Sequence, residues 1–553
     1  MTDSPKVGQV HTLPASELEL PAIKKPRLVG KKGPKGESKR AKKRREKQKD
    51  LPELCSTEDV LWRDVIAVLG QDVVDKAIDE GVEFDSPFEY HQEVELEVSS
   101  LCSSGDALAV PLNAKRPWTV VVPFALPGER IRARIYRNAR LHSFADLLEI
   151  VTPNPELRDD GLVQCKYFGS CAGCQYQMLS YDTQLNLKKD VVVKAYKNFS
   201  NLPESSVPAI LPTIGSPLQY GYRTKLTPHF EAPPKAARKD KSITEEGVRP
   251  DWLSIGFNKV GTFKTMDIED CPIAVPIINK AYAPVREDII KNIYTYSKGV
   301  SLLFRDSLEV TSDAKSASST PPASDEVEAL TSALDKHVCI TDQKATVREK
   351  VGDWVFEYNA GSFFQNNNSV LVPLTNYVRD AIFPLSSTSI DSDPSPPTHL
   401  VDAYCGAGLF AITLSPHFKT VAGIELSADS IKFATRNAKL NDIPADKITF
   451  RAGDAAAIFK TVGEFPPEKT VLLIDPPRKG CDDKFIQQLL AFRCKTVIYV
   501  SCNVHTQARD VGVILKATEN DDPGKKYVLE SVRGFDLFPQ TAHVESVAVL
   551  RLV

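Results

Sequence analysis

From Val471 to Asn503 the chain reads VLLIDPPRKGCDDKFIQQLLAFRCKTVIYVSCN. An apolar run ends in Asp-Pro-Pro-Arg, a helical pattern follows, and a second apolar run, rich in β-branched residues, ends in Ser-Cys-Asn. Both runs are short enough to be buried strands, and a helix between two such runs is the crossover that a parallel sheet requires. Ligands of open parallel sheets bind beyond the carboxyl ends of the strands. Asp475 and Cys502 stand at two such ends, so the pattern predicts an acceptor and a potential nucleophile facing one crevice.

At 553 residues and 42% hydrophobic content the chain can build several cores, and about two to four domains are expected. No segment approaches the ~20 uninterrupted apolar residues of a membrane span, and the amino terminus lacks a secretory apolar region. A soluble protein with no membrane partner is therefore expected, and a monomer. Eleven cysteines at irregular spacing point to a reducing compartment in which they serve metals or catalysis. The net charge of −3 is unevenly spread: residues 1–50 carry +9, which leaves −12 for the rest. Lys24 to Lys49, KKPRLVGKKGPKGESKRAKKRREKQK, has almost nothing to bury and is expected to be disordered. Such a tail is either a solvated extension or a nuclear-import signal or RNA-binding arm. The expected address is nuclear or cytoplasmic, with a mitochondrial share left open.

The predicted organisation is a basic tail over 1–50, a helical extension over 51–90, a small β-barrel over 91–155, a central domain with a cysteine cluster over 156–350, and a catalytic domain over 351–553. Ser56-Thr57-Glu58-Asp59 reads as a helix start, and Val60 to Leu69 as a short amphipathic helix. In the barrel segment Ile131 to Arg137 alternates apolar residues with arginines, a face that is either solvated or an RNA groove. Val122 to Glu129, VPFALPGE, resembles the TRAM domain, an RNA-binding module. Cys165, Cys171 and Cys174 follow at C-x5-C-x2-C, with Cys271 the best fourth ligand. Four thiolates suit an iron–sulfur cluster or zinc, and reduced bystander cysteines are the third reading. Polar insertions at Lys235 to Gly247, Ala314 to Ala329 and Ser386 to Pro397 read as surface excursions.

In the last domain, His399 to Tyr404 reads as a strand entering the turn Cys405-Gly406-Ala407-Gly408 and then the helix Leu409 to Leu414. Such a turn lets a ligand approach the backbone, and Glu425, ending the next strand, suits a ribose diol. A dinucleotide site wants a third glycine, which this helix lacks, so S-adenosylmethionine is favoured over NAD. Asp454, after a third strand at Ile448 to Arg451, is a candidate for the adenine amino group or a plain turn residue.

The ordered set FFQNNN (363–368), DAYCGAG (402–408), GIELS (423–427), DPPRKG (475–480), SCN (501–503) and FPQTAHVE (538–545) resembles the RNA uracil-5-methyltransferase family, nearest to its fungal tRNA-modifying members. The likeness runs from about residue 93 to the carboxyl terminus. It implies a doubly wound, Rossmann-like methyltransferase domain in a multidomain α/β protein that uses S-adenosylmethionine to methylate C5 of a T-loop uridine in tRNA. It implies a [4Fe–4S] cluster on the four cysteines, and because Cys271 lies far downstream of the other three, such a cluster would tie distant segments together, a structural role. C5 of uracil is a poor nucleophile, and addition of a thiolate at C6 makes it reactive, the role assigned to Cys502. Glu545 is the base that removes the C5 proton, with His543 as runner-up. Phe363 is assigned to the flipped uracil, Gln365, Tyr404, Glu425 and Asp454 to the cofactor, and Asp475 to cofactor or uracil. Departures are Val504 and Ala172 in place of common proline and glycine, and Leu409 where an asparagine often lies beside the cofactor. Competing readings are ribosomal RNA as substrate, an amino-group methyltransferase using Asp-Pro-Pro, and an RNA-binding or RNA-folding protein on a methyltransferase scaffold.

Overall fold

In this computed structural model the described residues are 52–553, apart from 114–115, 236, 238–247, 310–335, 385–395, 454–461 and 522–523. The basic tail, Asp454 and most of the three polar insertions lie outside the described residues. The crossover unit forms as its pattern predicts. Strands Thr470–Ile474 and Thr496–Ser501 pair in parallel, with helix Asp483–Phe492 between them. Every residue of both strands is buried, and each buried Val, Leu or Ile contributes about 1.5–3 kcal/mol relative to exposure. Asp482 starts the helix by accepting from the Phe485 amide at 2.9 Å, and Arg493 ends it in a left-handed conformation.

Around this unit the described residues build an eight-stranded sheet in the order Ile448–Ala452, Thr420–Glu425, His399–Ala403, Thr470–Ile474, Thr496–Ser501, Glu545–Leu552, Tyr527–Phe535, Leu211–Ile214. The first five are parallel. Glu545–Leu552 runs antiparallel to both neighbours, which brings its first residue, Glu545, to the end where the parallel strands finish. Leu211–Ile214 arrives from far upstream and covers the edge of Tyr527–Phe535, an edge that would otherwise expose unpaired backbone. One face of the sheet packs with helices Tyr181–Phe199, Asp483–Phe492 and Val504–Asp521, and the other with Leu371–Ile382 and Leu409–Leu414.

Upstream, strands Glu93–Leu101, Ala107–Pro111, Thr119–Val122, His142–Thr152 and Arg130–Asn138 close into a five-stranded barrel. Its arginine face is not a bare cationic groove. Arg130 pairs with Glu95 at 3.5 Å, Arg132 with Glu93 and Glu149 at 3.2 and 2.7 Å, and Arg134 with Asp146 at 3.6 Å. The alternation seen in one strand faces a complementary acidic alternation in the next, which a single strand's pattern cannot reveal. Ser56 caps helix Thr57–Leu69 as expected, and a second helix, Gln71–Asp79, follows. The central region has short strands, including Lys225–Leu226, His229–Phe230 and Ile255–Asn258, in small sheets packed on helix Pro276–Asn292.

Candidate active site

Beyond the carboxyl ends of the parallel strands lies a cavity of about 660 Å³. Its lining includes Phe363, Gln365, Tyr404, Glu425, Asp475 and Cys502, six residues read from sequence as site residues. The glycine turn forms its floor. Gly408 has φ +93, and a methyl group there would stand 3.0 Å from Ile412 Cδ1 and 3.2 Å from Phe450, so both backbone sign and packing demand glycine. Tyr404 is itself left-handed, at φ 63, an unusual state for an aromatic residue that turns the chain out of its strand. Glu425 accepts from the amides of Gly406 at 3.3 Å and Ser427 at 2.9 Å; each carboxylate oxygen keeps a second lone pair for a ligand.

The electrostatics of the cavity are set by buried carboxyls. Burial pushes Asp475 up to about 7. Burial pushes Glu545 up to about 8, the charge of Asp475 adding to it and the Arg478 guanidinium opposing it. Burial likewise raises the Cys502 thiol to about 11, helped by Glu545 and Asp475 and opposed by Arg478. Glu545 is thus brought into the electrostatic reach of Cys502 although it comes from a different strand. Asp402, behind the glycine turn, is held up at about 8 by burial and by Asp475 and Glu425, while the Ala411 amide donates to it at 2.8 Å. His543 is pushed down to about 4 by burial, with Arg478 and Lys188 acting in the same direction.

Several positioning groups were not singled out in the sequence. Lys188 is buried on helix Tyr181–Phe199 and donates to Asp536 at 2.5 Å and to the carbonyls of Phe538 and His543 at 3.0 Å each. It clamps the loop that delivers Glu545. Only its place on the inner side of a lysine-rich helix marks it, and that side is defined by tertiary packing. In FFQNNN the asparagines are structural: Asn366 accepts from Arg305 at 2.9 Å, and Asn367 donates to Ser216 at 2.9 Å and to the Leu537 carbonyl at 3.1 Å. They leave Gln365 buried in the cavity wall and Phe363 77% exposed at its mouth. Arg478 was legible, as the basic residue directly after Asp-Pro-Pro; its carbonyl accepts from Asn503 at 2.9 Å and Thr506 at 3.2 Å, tying the two strand ends together.

Cys165, Cys171, Cys174 and Cys271 line a second cavity, of about 320 Å³. Burial raises each thiol, and Cys174 also feels the charges of Cys271, Cys171 and Cys165. Among the described residues no three His, Cys, Asp or Glu side chains form a group suited to a single metal ion. Nor is any helix among them long and apolar enough to cross a membrane.

The sequence profile of the tRNA (Uracil-5-)-methyltransferase family matches residues 297–552. The chain is 44% identical over 481 residues to the tRNA (uracil(54)-C(5))-methyltransferase of Schizosaccharomyces pombe, covering 87% of this chain and 82% of that protein. It is 37% identical over 489 residues to the Saccharomyces cerevisiae protein of the same name, covering 84% and 74%. In fold it is similar to the crystal structure of Pyrococcus abyssi tRNA (uracil-54, C5)-methyltransferase in complex with S-adenosyl-L-homocysteine, with TM-score 0.54 at 20% identity, covering 83% of this chain and all of that one. With two relatives above 30% identity matched over most of their length, this chain belongs to the tRNA (uracil-5-)-methyltransferase family.

Proposed function

We propose that this protein methylates C5 of the T-loop uridine of tRNA, with Cys502 as nucleophile and Glu545 as base. The observation that carries the reading is the electrostatic coupling of Cys502, Glu545 and Asp475 in and beside one cavity. S-adenosylmethionine, when bound against Gln365, Tyr404, Glu425 and Asp475, supplies an electrophilic methyl group on a sulfonium whose charge offsets these carboxyls. Asp454 is kept as an adenine-binding residue in this proposal.

The uridine must leave its stack to reach the cavity, and Phe363 at the mouth offers it a ring to rest on. Cys502, held protonated by burial, gives its proton to the Asp475 carboxylate, and its sulfur bonds C6. The C5–C6 electron pair moves onto C5 and the O4 carbonyl, so C5 becomes nucleophilic. Once C5 is methylated, a deprotonated Glu545 takes the C5 proton, the double bond re-forms, the Cys502–C6 bond breaks and the sulfur takes its proton back from Asp475. A carboxyl near 8 is a stronger base than an ordinary glutamate. His543, pushed down to about 4, is a poor one. The test is trapping with 5-fluorouracil-containing tRNA: a covalent adduct is expected with wild type and none with Cys502→Ala. Full methylation by Cys502→Ala sinks the mechanism.

For the four-cysteine cavity we propose a [4Fe–4S] cluster with a structural role, because a space of about 320 Å³ ringed by four thiols suits a multi-atom group better than one ion. Anaerobically purified protein is expected to contain iron and sulfide; stoichiometric zinc overturns this. The closed barrel we read as a TRAM domain. Its VPFALPGE loop is held by buried Glu129, which accepts from Arg158 at 2.6 and 3.0 Å and from the Leu126 amide at 2.8 Å. We propose that residues 91–155 and 156–350 hold RNA while 351–553 carry the chemistry, and that the protein acts as a monomer. For the tail over 1–50 we propose nuclear import, checked by whether a fluorescent fusion lacking it leaves the nucleus.

A further inference from the structure

Among the described residues Phe263 is the most exposed large hydrophobic side chain, at 85%. It lies at the tip, Lys259 to Lys264, of the hairpin formed by strands Ile255–Asn258 and Thr265–Asp267. The tip is internally bonded. Lys259 N–H donates to the Lys264 carbonyl at 2.9 Å, the Thr262 amide and hydroxyl both donate to the Lys259 carbonyl at 3.1 Å, and the Lys264 amide donates to the Thr262 hydroxyl at 3.2 Å. Gly261 turns the chain at φ +68. A ring presented on such a turn has a defined direction, and its exposure costs the protein apolar surface that the fold does not use.

The tip is anchored on two sides. Val260 N–H donates to the Ser170 carbonyl at 2.9 Å and Ala172 N–H to the Asn258 carbonyl at 3.0 Å, which docks it on the cysteine loop. On the other side a methyl group on Gly261 would stand 3.5 Å from the Tyr136 hydroxyl of the barrel. There Arg137 lies 3.7 Å over the Phe144 ring, and the Tyr136 and Phe144 centroids are 6.3 Å apart. Three acids near this junction are matched, Asp146 with Arg134, and Glu269 and Asp270 with Lys166, while a fourth, Asp106, acts on Tyr136 from a largely buried position and is pushed up to about 6 by burial. Lys259, Lys264 and Arg137 belong to none of these pairs, and the junction is left cationic. A lone exposed phenylalanine is unremarkable. One set between two lysines, next to an arginine stacked on an aromatic ring, has the composition of a single-stranded nucleic-acid platform.

We propose that the tip over 259–264, with Arg137 and Phe144 of the barrel, is a stacking site for an unpaired tRNA nucleotide outside the methylation cavity. Phe263 takes the base, and Lys259 and Lys264 take the flanking phosphates. This deepens the tRNA reading above and rests on it. It also gives the cysteine cavity a task, since the loop carrying Cys171 holds the tip.

The test compares Phe263→Ala, Phe263→Leu and Phe263→Trp in the full chain, by tRNA Kd at fixed salt and by single-turnover methylation at saturating tRNA. Base stacking predicts roughly a tenfold rise in Kd for both Ala and Leu, and a value within about twofold of wild type for Trp. The saturated rate should stay at wild type in all three, because none of residues 259–264 lines the methylation cavity. Lys259→Ala should lower the slope of log Kd against log salt by about one. Unchanged Kd in Phe263→Ala, or Leu restoring binding as well as Trp, overturns the platform; the second result marks a general apolar contact, such as one with a protein. Either failure leaves wild-type methylation of tRNA intact. Wild type that neither binds nor methylates tRNA instead overturns the functional reading beneath it.

Discussion

Glu545 is the residue whose chemistry can be read through stability as well as turnover. Its carboxyl sits at about 8 when folded against an ordinary value of 4.5. Below about pH 4.5 both folded and unfolded chains hold the proton, and above about 8 neither does. Between these limits the folded state binds more protons, so stability falls as pH rises. The ligand-free protein should therefore lose melting temperature from pH 5 to pH 8. Glu545→Gln, which is always neutral, should lose less, though not nothing, because Asp475 near 7 contributes with the same sign. The two carboxyls interact, so the measured midpoints belong to the pair. Equal pH slopes for wild type and Glu545→Gln would show that Glu545 is an ordinary solvated acid. On tRNA the same variant should keep affinity, lose turnover and accumulate the methylated Cys502 adduct; parallel loss of affinity would make its role structural.

At the scale of elements, the active site depends on helix Tyr181–Phe199, which supplies no group to the chemistry. Lys188 joins it to the loop before Glu545, and Gln184 adds reciprocal bonds to Gln540 at 3.1 and 3.0 Å. Burial pulls the lysine downward from its usual value, while Asp536 pushes it back up. Replacing Lys188 by Met leaves Asp536 buried without its cation, which costs about 3–5 kcal/mol. The expected result is a lower denaturation midpoint and a large drop in single-turnover rate with a smaller change in tRNA affinity. A double variant, Lys188→Met with Asp536→Leu, should recover much of the stability and little of the rate. If Lys188→Met melts like wild type, the clamp is not a clamp.

Across the whole molecule the barrel and the catalytic sheet are joined by the extension at residues 52–79. Trp62, Val65 and Val74 share a core with Trp118, Leu108 and Val121 of the barrel. On the other side Cys55 donates to the His505 carbonyl at 3.5 Å and Arg63 lies 5.9 Å over Phe199. Asp64 completes the joint, accepting from the Ser103 amide at 2.7 Å and pairing with Lys194 at 3.4 Å. His505 is three residues past Cys502, so this joint ties the barrel to the active-site end of the sheet, beside the direct packing of Ala542 into the barrel core. Trp62→Ala, a buried aromatic truncation of about 3–5 kcal/mol, should raise KM for tRNA several-fold while the saturated rate changes little. An unchanged KM would mean that the barrel keeps its orientation without the extension.

The sequence alone determined the catalytic sheet's central unit. Two fully buried strands leave unbroken apolar runs, and a crossover helix leaves its own period, so Asp475 and Cys502 could be placed at neighbouring strand ends from residue order. The glycine turn and Glu425 were legible for the same reason: they are local, and backbone sign restricts Gly408 whatever surrounds it. What tertiary structure decided was every relation between distant segments. Glu545 reaches Cys502 because the last strand runs antiparallel, and no local pattern encodes the direction in which a strand is inserted. Lys188 is a surface-type residue by composition and becomes a buried clamp only through Asp536, 348 positions away. Arg130, Arg132 and Arg134 look cationic along one strand and are neutralised by the acids of its neighbours. Short-range preferences are written in neighbouring residues. Burial, charge balance and the raised carboxyls arise from contacts between segments far apart in the chain, and these exist only once it is folded.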